Sequence, residues 1–266
     1  MSRIRAAFDA AATAGRVALI PYLTAGDPSA DRTVELVLAL SGCGTDVMEL
    51  GVPFSDPLAD GETNQKAAHR ALAKGMSLSK VMDVVTRIRR SSSVPLVLFT
   101  YFNPVLRMGL WEFSLRARDA GVDGVLVTDL PVEEGDEYRS ALTSAGLDAI
   151  FLAAPTTGIE RLKTIGEASG GFVYYVCRTG VTGEREVLPI ETGARVQQIR
   201  KLTGKKVAVG FGVSRREHVE QVATFADGVV IGSALVRVVE EVGDSDDLPR
   251  RLERRLREIF PSPTSR

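Results

Sequence analysis

The sequence predicts an α/β fold of the (β/α)8 barrel class, as a single domain over residues 1–266. Three observations predict it. First, eight short apolar runs recur along the chain, each nearly continuous rather than alternating. That is the mark of parallel strands covered on both faces. Second, stretches with helical periodicity separate the runs, and eight βα units in about 250 residues is the arithmetic of a closed barrel. Third, the chemically distinctive residues fall late in the runs or just after them, where such a barrel gathers its functional groups. An open doubly wound sheet is the competing arrangement. It usually has fewer strands and calls for a Gly-rich fingerprint after the first, whereas the first run here leads into TAGDPS.

In chain order, MSRIRAAFDAAATAG lacks a long apolar core and reads as a short amphipathic helix rather than a signal peptide. VALIPYL (17–23) is the first strand. Ser29 or Asp31 caps a helix through Val34, Leu36, Val37 and Leu40. VMELGVP, from Val47, is the second strand, and a loop rich in Gly, Pro, Ser and Asp follows it as far as Gln65. Val81, Val84, Val85 and Ile88 form a helical stripe before the third strand, VPLVLFTYF, from Val94. A helix over 111–120 stops at Gly121, and DGVLVTDLP from Asp123 is strand four. A helix over 134–145 stops at Gly146. DAIFLAAP from Asp148, GFVYYVCR from Gly171, KVAVGFG from Lys206 and DGVVIGSA from Asp227 complete the strands. The last helix, 248–260, sets Leu252, Leu256 and Ile259 among arginines, and the tail, 261–266, is read as frayed.

Composition narrows the chemistry. Hydrophobic content of 44% and charged content of 25% are those of a soluble globular chain. A net charge of −1 gives no electrostatic footprint for nucleic acid or an anionic membrane. No apolar run reaches the length of a membrane span, and two cysteines are too few for a disulfide framework. The expected compartment is the cytoplasm. His69 and His218 are the only histidines, both in polar, helix-like segments, so no metal site is expected. Walker A, GxSxG and CxxC patterns are missing. Carboxylates, tyrosine hydroxyls and backbone N–H groups remain to carry any catalysis.

Glu49 stands inside the apolar second strand, where a carboxylate is costly unless paired or used. Burial would raise its pKa toward neutrality and suit it to proton transfer. The competing reading pairs it with a lysine or arginine inside the barrel. Asp60, in the following loop, reads first as a turn or cap residue, with a second carboxylate that stabilises positive charge as the alternative. Tyr174 and Tyr175 are adjacent on a strand, so one faces the lumen and the other the helices. GFGVS (210–214) and the Gly232–Ser233 pair, in the last two loops, form a candidate phosphate site of backbone N–H groups, with a short helix aimed at the anion. Residues 178–192 read as a lid with hinges at Gly180, Gly183 and Gly193. From these residues alone, another phosphate-binding barrel, such as a sugar-phosphate isomerase, stays open.

ELGVPFSDPLADG (49–61), VLVTDLPVEE (125–134), YYVCRTGVTG (174–183), GFGVS and IGSA carry a resemblance over nearly the whole length. With them the chain resembles the tryptophan synthase alpha subunit family. That resemblance implies a carbon–carbon lyase of tryptophan biosynthesis. It cleaves indole-3-glycerol phosphate to indole and glyceraldehyde 3-phosphate by a retro-aldol reaction without a cofactor. By motif, Glu49 is then the acid/base, Asp60 the partner of the indole N–H, and Tyr174 the tyrosine that supports Glu49. Tyr22 and Phe99 fall at substrate-binding positions, as do Gly183, Phe211, Gly212, Gly232 and Ser233, and Thr182 matches the lid threonine. The resemblance also implies a PLP-dependent β subunit as partner in an α2β2 complex, with PLP in that partner and none in this chain. Pro53, Asp56, Pro57 and Asn103 match positions near the shared interface. A stand-alone lyase releasing free indole and a non-catalytic phosphate-binding regulator are the alternatives. The chain departs from the family pattern at Glu62-Thr63-Asn64, where Pro, a small residue and an apolar residue are usual. It departs also at Cys177, where serine is common, and at Tyr22, where phenylalanine occurs.

Overall fold

A computed structural model describes residues 2–177 and 191–260. The chain runs α1 (Arg3–Thr13), β1 (Ala18–Thr24), α2 (Ala30–Ser41), β2 (Met48–Gly51), α3 (Glu62–Ala73), α4 (Leu78–Arg89), β3 (Leu96–Thr100), α5 (Phe102–Met108), α6 (Leu110–Ala120) and β4 (Gly124–Val127). It continues α7 (Asp136–Ser144), β5 (Asp148–Ile150), β6 (Leu152–Ala153), α8 (Ile159–Ala168), β7 (Phe172–Val176), α9 (Thr192–Thr203), β8 (Lys206–Gly210), α10 (Arg216–Ala223), β9 (Gly228–Ile231), α11 (Ser233–Val242) and α12 (Leu248–Ile259).

The strands pair in parallel in the order β5-β4-β3-β2-β1-β9-β8-β7-β6. The two ends of that order are consecutive in the chain. Only Phe151 separates them, and its carbonyl accepts the Tyr174 N–H at 3.1 Å. The sheet thus closes into a barrel whose fifth expected strand is split in two. The split has a packing cause: the Phe151 ring turns outward, edge-on to Tyr138 at 6.3 Å and against Gly135.

Strand parity sorts the core into two clusters. Ile20 and Tyr22, Val97 and Phe99, Ile150 and Leu152, and Phe172 and Tyr174 point into the lumen. The intervening residues pack against the helices. Glu49 shares the lumen parity, two residues beyond Val47. Helix α1 plugs the N-terminal end with Ile4, Phe8 and Ala11, and Phe8 meets Phe172 at 5.2 Å. The opposite end is left open to a cavity.

Charge secures the plugged end. Asp46, Asp123 and Asp227 stand just before β2, β4 and β9. Each accepts a backbone N–H from the start of a neighbouring strand, from Leu19, Leu96 and Val207, at 2.8 to 2.9 Å. Each also meets an arginine: Arg16, Arg89 and Arg200 respectively.

The helices follow the sequence with local adjustments. Ser29, not Asp31, caps α2, its side chain accepting the Arg32 N–H. Helix α7 starts two residues later than predicted, because Val132–Glu134 forms a 3-10 turn first. Leu248, Leu252, Leu256 and Ile259 are fully buried along α12. The larger correction lies after Asp60. The segment read as loop to Gln65 is the first turn of α3, with Gly61 at its N-cap. The glycine and acidic Glu62 fit a helix start, and Gly-Glu-Thr-Asn resembles loop composition only when read without the apolar stripe that follows. Gly193, read as a hinge, lies within the first turn of α9. The rest of the expected lid, 178–190, and the tail, 261–266, lie outside the described residues. Among the described residues, no helix is long and apolar enough to cross a membrane.

Candidate active site

The cavity at the C-terminal end of the strands measures about 410 Å³. Every expected site residue within the described chain lines it: Tyr22, Glu49, Asp60, Phe99, Tyr174, Phe211, Gly212, Gly232 and Ser233. Thr182 and Gly183 lie outside the described residues.

Glu49 is 0% exposed, at the level of Tyr22 on β1 and Val97 on β3. Neither carboxyl oxygen has a hydrogen-bond partner among the described residues. No lysine or arginine of the described residues pairs with it, against the competing reading of a charge pair inside the barrel. Burial alone pushes its pKa up to about 8. At neutral pH it holds a proton, in a place where only a ligand can use it.

Asp60 is held differently. It is buried, and the Tyr101 hydroxyl donates to its Oδ2 at 2.9 Å. Asn64, at the third position of α3, lines the cavity with it. Burial raises the Asp60 pKa to about 6, with the Tyr101 hydroxyl and the Asn64 amide pulling the other way. The carboxylate is thus ionised at neutral pH. The cap reading does not survive, because no side chain caps α3; the turn reading holds for the backbone, the Asp60 N–H closing a turn on the Pro57 carbonyl at 3.0 Å, while the side chain lines the cavity. The Tyr101 hydroxyl in turn accepts the Ala59 N–H at 3.0 Å, and its ring stacks on Phe54 at 5.1 Å.

An aromatic cluster shares the cavity with the carboxylates. Phe99 lies edge-on to Tyr22 at 5.5 Å and tilted to Tyr174 at 6.3 Å. Two glycines make room for the tyrosine heads. A Cβ at Gly51 would sit 2.2 Å from the Tyr22 hydroxyl, and one at Gly210 would sit 2.3 Å from that of Tyr174. Tyr174 takes the lumen side and Tyr175 the helix side, as alternation requires. Both Tyr22 and Tyr174 have pKa values well above 10, chiefly through burial, so their hydroxyls stay protonated.

Across the cavity, the backbone turns N–H groups toward the opening, an arrangement that suits an anion. Gly212 has φ +88°, a conformation that favours glycine, and it turns the loop after β8 toward the opening. Helix α11 begins at Ser233 with Gly232 as N-cap and no side-chain cap, so its first N–H groups and its positive dipole end face the same space. The helix expected there as short runs for 10 residues. Ser214 contributes less than the GFGVS reading expects. Its N–H is directed to Nδ1 of His218 at 3.4 Å, and its carbonyl accepts from Arg255 at 2.8 Å.

Sequence reasoning missed Tyr101, and left open whether Asn64 faces the site; it lines the cavity. Tyr101 ends the third apolar run, the barrel position that favours function, so the signal existed and went unused. His218, read as polar and helical, is buried with its ring 5.4 Å from Phe211. Asp129, a distinctive residue in sequence, instead accepts the Phe102 N–H at 2.7 Å and anchors the start of α5. Among the described residues, no group of three or more His, Cys, Asp or Glu is placed to hold a metal. Of the residues expected near a partner, Pro53 and Pro57 are buried, while Asp56 and Asn103 are exposed.

The sequence model of the tryptophan synthase alpha chain family matches residues 8–259. The tryptophan synthase alpha chain of Solibacter usitatus is 48% identical over 259 residues, 97% of each chain. That of Arabidopsis thaliana is 45% identical over 240 residues, 90% of this chain and 87% of the other. Among solved structures, the tryptophan synthase α2β2 complex of the hyperthermophile Pyrococcus furiosus holds a chain that superposes with a TM-score of 0.86. It is 44% identical, over 91% of this chain and 97% of that one.

Proposed function

The chain belongs to the tryptophan synthase alpha chain family, and on that premise we propose how its residues cleave indole-3-glycerol phosphate to indole and glyceraldehyde 3-phosphate. The observation that carries the reading is the pair of carboxylates in one cavity with opposite protonation at neutral pH: Glu49, pushed to about 8, and Asp60, at about 6.

The phosphate sits on the N–H groups at the start of α11 and on the Gly212 turn, with Gly183 assigned to the same end by motif and Thr182 to the lid threonine that contacts Asp60. The indole ring lies between Phe99 and Tyr22 with its N–H toward Asp60. Glu49 gives its proton to indole C3. N1 becomes a positively charged iminium, which the Asp60 carboxylate stabilises. The C3–C1′ bond then breaks, and its electron pair returns to the ring to restore neutral indole. The C1′ hydroxyl loses its proton to Glu49 and becomes the aldehyde. One proton is given and one is taken back, so Glu49 ends as it began. Tyr174, protonated and in the same wall, holds the Glu49 side of the ring. Binding the phosphate fixes the glycerol chain, so remote binding energy supports the chemistry.

A β subunit is the partner, in the α2β2 arrangement of the Pyrococcus furiosus complex. PLP belongs to that subunit, and every step above uses this chain's own groups. The surface supports docking: Leu58 (76% exposed), Leu106 and Trp111 stand out with Asp56 and Asn103. Leu58 lies on the loop whose Ala59 bonds Tyr101, so the docking loop also carries Asp60. The test is indole release from indole-3-glycerol phosphate by the purified chain, with and without a tryptophan synthase β subunit. Release that the β subunit accelerates is expected; no release under either condition overturns the reading, and full activity alone supports a stand-alone lyase instead.

A further inference from the structure

The cavity takes its parts from different elements. Tyr22 comes from β1, Asp60 from the turn before α3, and the uncapped N–H groups from the start of α11. A ligand that spans Asp60 and those N–H groups needs α3 and α11 held at one separation and one axial register. Both helices begin at the cavity, and they pack against each other and against β1. Arg70 stands in the seam between them. Its guanidinium grips Asp27 with two hydrogen bonds, Nε to Oδ1 at 2.9 Å and Nη2 to Oδ2 at 2.8 Å. Its remaining nitrogen, Nη1, donates to Glu240 on α11 at 3.1 Å. Asp27 lies in the loop that continues β1 beyond Tyr22 and Thr24, and its carboxylate is almost fully buried. Arg70 and Glu240 each lie about two turns into their helices. A fork on a buried carboxylate fixes orientation as well as distance. An exposed pair on the same helix, Lys66 with Glu62, links α3 only to itself. Arg70 instead links three elements that each bring a part of the site.

We propose that Arg70 is a positioning residue that sets the spacing between Asp60 and the uncapped start of α11, so that one substrate engages both ends at once. This rests on the lyase reading of the cavity. Each end binds its own half of the ligand whether or not the spacing is right. Only a ligand that spans both ends is penalised when the two helices slip, because simultaneous engagement then fails.

The test compares three ligands on the full chain by NMR titration. Indole probes one end and glycerol 3-phosphate the other. The third is a non-cleavable analogue in which a saturated three-carbon chain joins indole to phosphate. Arg70→Met combined with Asp27→Asn removes the fork without stranding a buried charge. In that variant the spanning analogue should bind about tenfold more weakly or worse, with each half-ligand within about twofold of the parent. The kcat for indole release, measured as complexes with a β subunit, should fall by a similar factor. Arg70→Lys keeps the charge but not the fork, so its losses should fall in between. It also carries the same comparison if the double variant does not fold. A side chain that only stabilises the fold would weaken all three ligands in proportion, or none, and either result overturns the proposal. Binding of the analogue that is tight in a parent releasing no indole, and lost in the variants, keeps the spacing role and sinks the lyase reading instead.

Discussion

At the plugged end of the barrel, Asp46, Asp123 and Asp227 each accept a strand N–H and meet an arginine. At the open end, Glu49 accepts nothing from the described residues, and Asp60 accepts from the neutral Tyr101 hydroxyl. Both sets stand near strand ends on one sheet. The difference lies in what reaches them. Cations and backbone donors stabilise the ionised form at one end, so those carboxylates serve the fold. At the other end burial disfavours the ionised form, and the raised pKa values put protons within reach of chemistry near neutral pH. The same residue types thus hold the molecule together at one end and remain reactive at the other.

The comparison breaks most sharply at Glu49. Glu49→Gln should lower kcat by at least the 10²- to 10⁴-fold that a positioned proton donor contributes, measured as indole release. It should also change how stability responds to pH. The folded carboxyl titrates at about 8 and the unfolded one near 4.5. Between those values the folded state holds a proton that the unfolded state lacks, so this group's contribution to stability falls as pH rises. The glutamine variant loses that dependence. Relative to the parent it should gain stability between pH 5 and pH 8, by roughly 3–5 kcal/mol over the window. Urea denaturation of both proteins at the two pH values checks it, and parallel stability curves would count against an ionisable, unpaired Glu49.

Asp123→Ala tests the opposite end. It strips Arg89 of its carboxylate partner in a mostly buried setting and leaves the Leu96 N–H without its acceptor. Unfolding should become easier by about 3 kcal/mol, with kcat/KM of the folded protein within about twofold of the parent. A large loss of activity with stability intact would erase the division between the two ends.

The pH profile of the parent is the next measure. Asp60 must be ionised and Glu49 protonated, so kcat/KM should fall below about 6 and again above about 8, with a slope of tenfold per unit on each side. The smallest effect belongs to His218, which holds the phosphate loop through Ser214 and Phe211. His218→Phe keeps the packing and drops the acceptor. It should raise KM by about two- to threefold with kcat unchanged, the size of one modest hydrogen bond. A fall in kcat instead would place the histidine nearer the reacting atoms.

Much of this was legible in the sequence because it is local. Continuous apolar runs marked the strands, and a carboxylate inside one of them marked Glu49. Glycines in the last two loops marked the anion site, and the quoted motifs supplied the family. Tyr101 was legible in principle, as the residue that ends the third strand. What the chain alone could not give is pairing at a distance. Tyr101 reaches Asp60 across 41 residues, and His218 takes a backbone N–H that the loop composition had left for a ligand.

The residue order by itself determined the eight βα units, the out-of-place carboxylate at Glu49 and the opposite facing of the tyrosine pair, since each rests on neighbours within a few positions. Closure of the barrel decided the rest. It turned Tyr174 and Glu49 inward together, broke the fifth strand at Phe151, and brought Tyr101 against Asp60. It also decided that no cation of the described residues reaches Glu49. An interaction that is missing cannot be read from a list of residues, because it depends on where every other side chain goes.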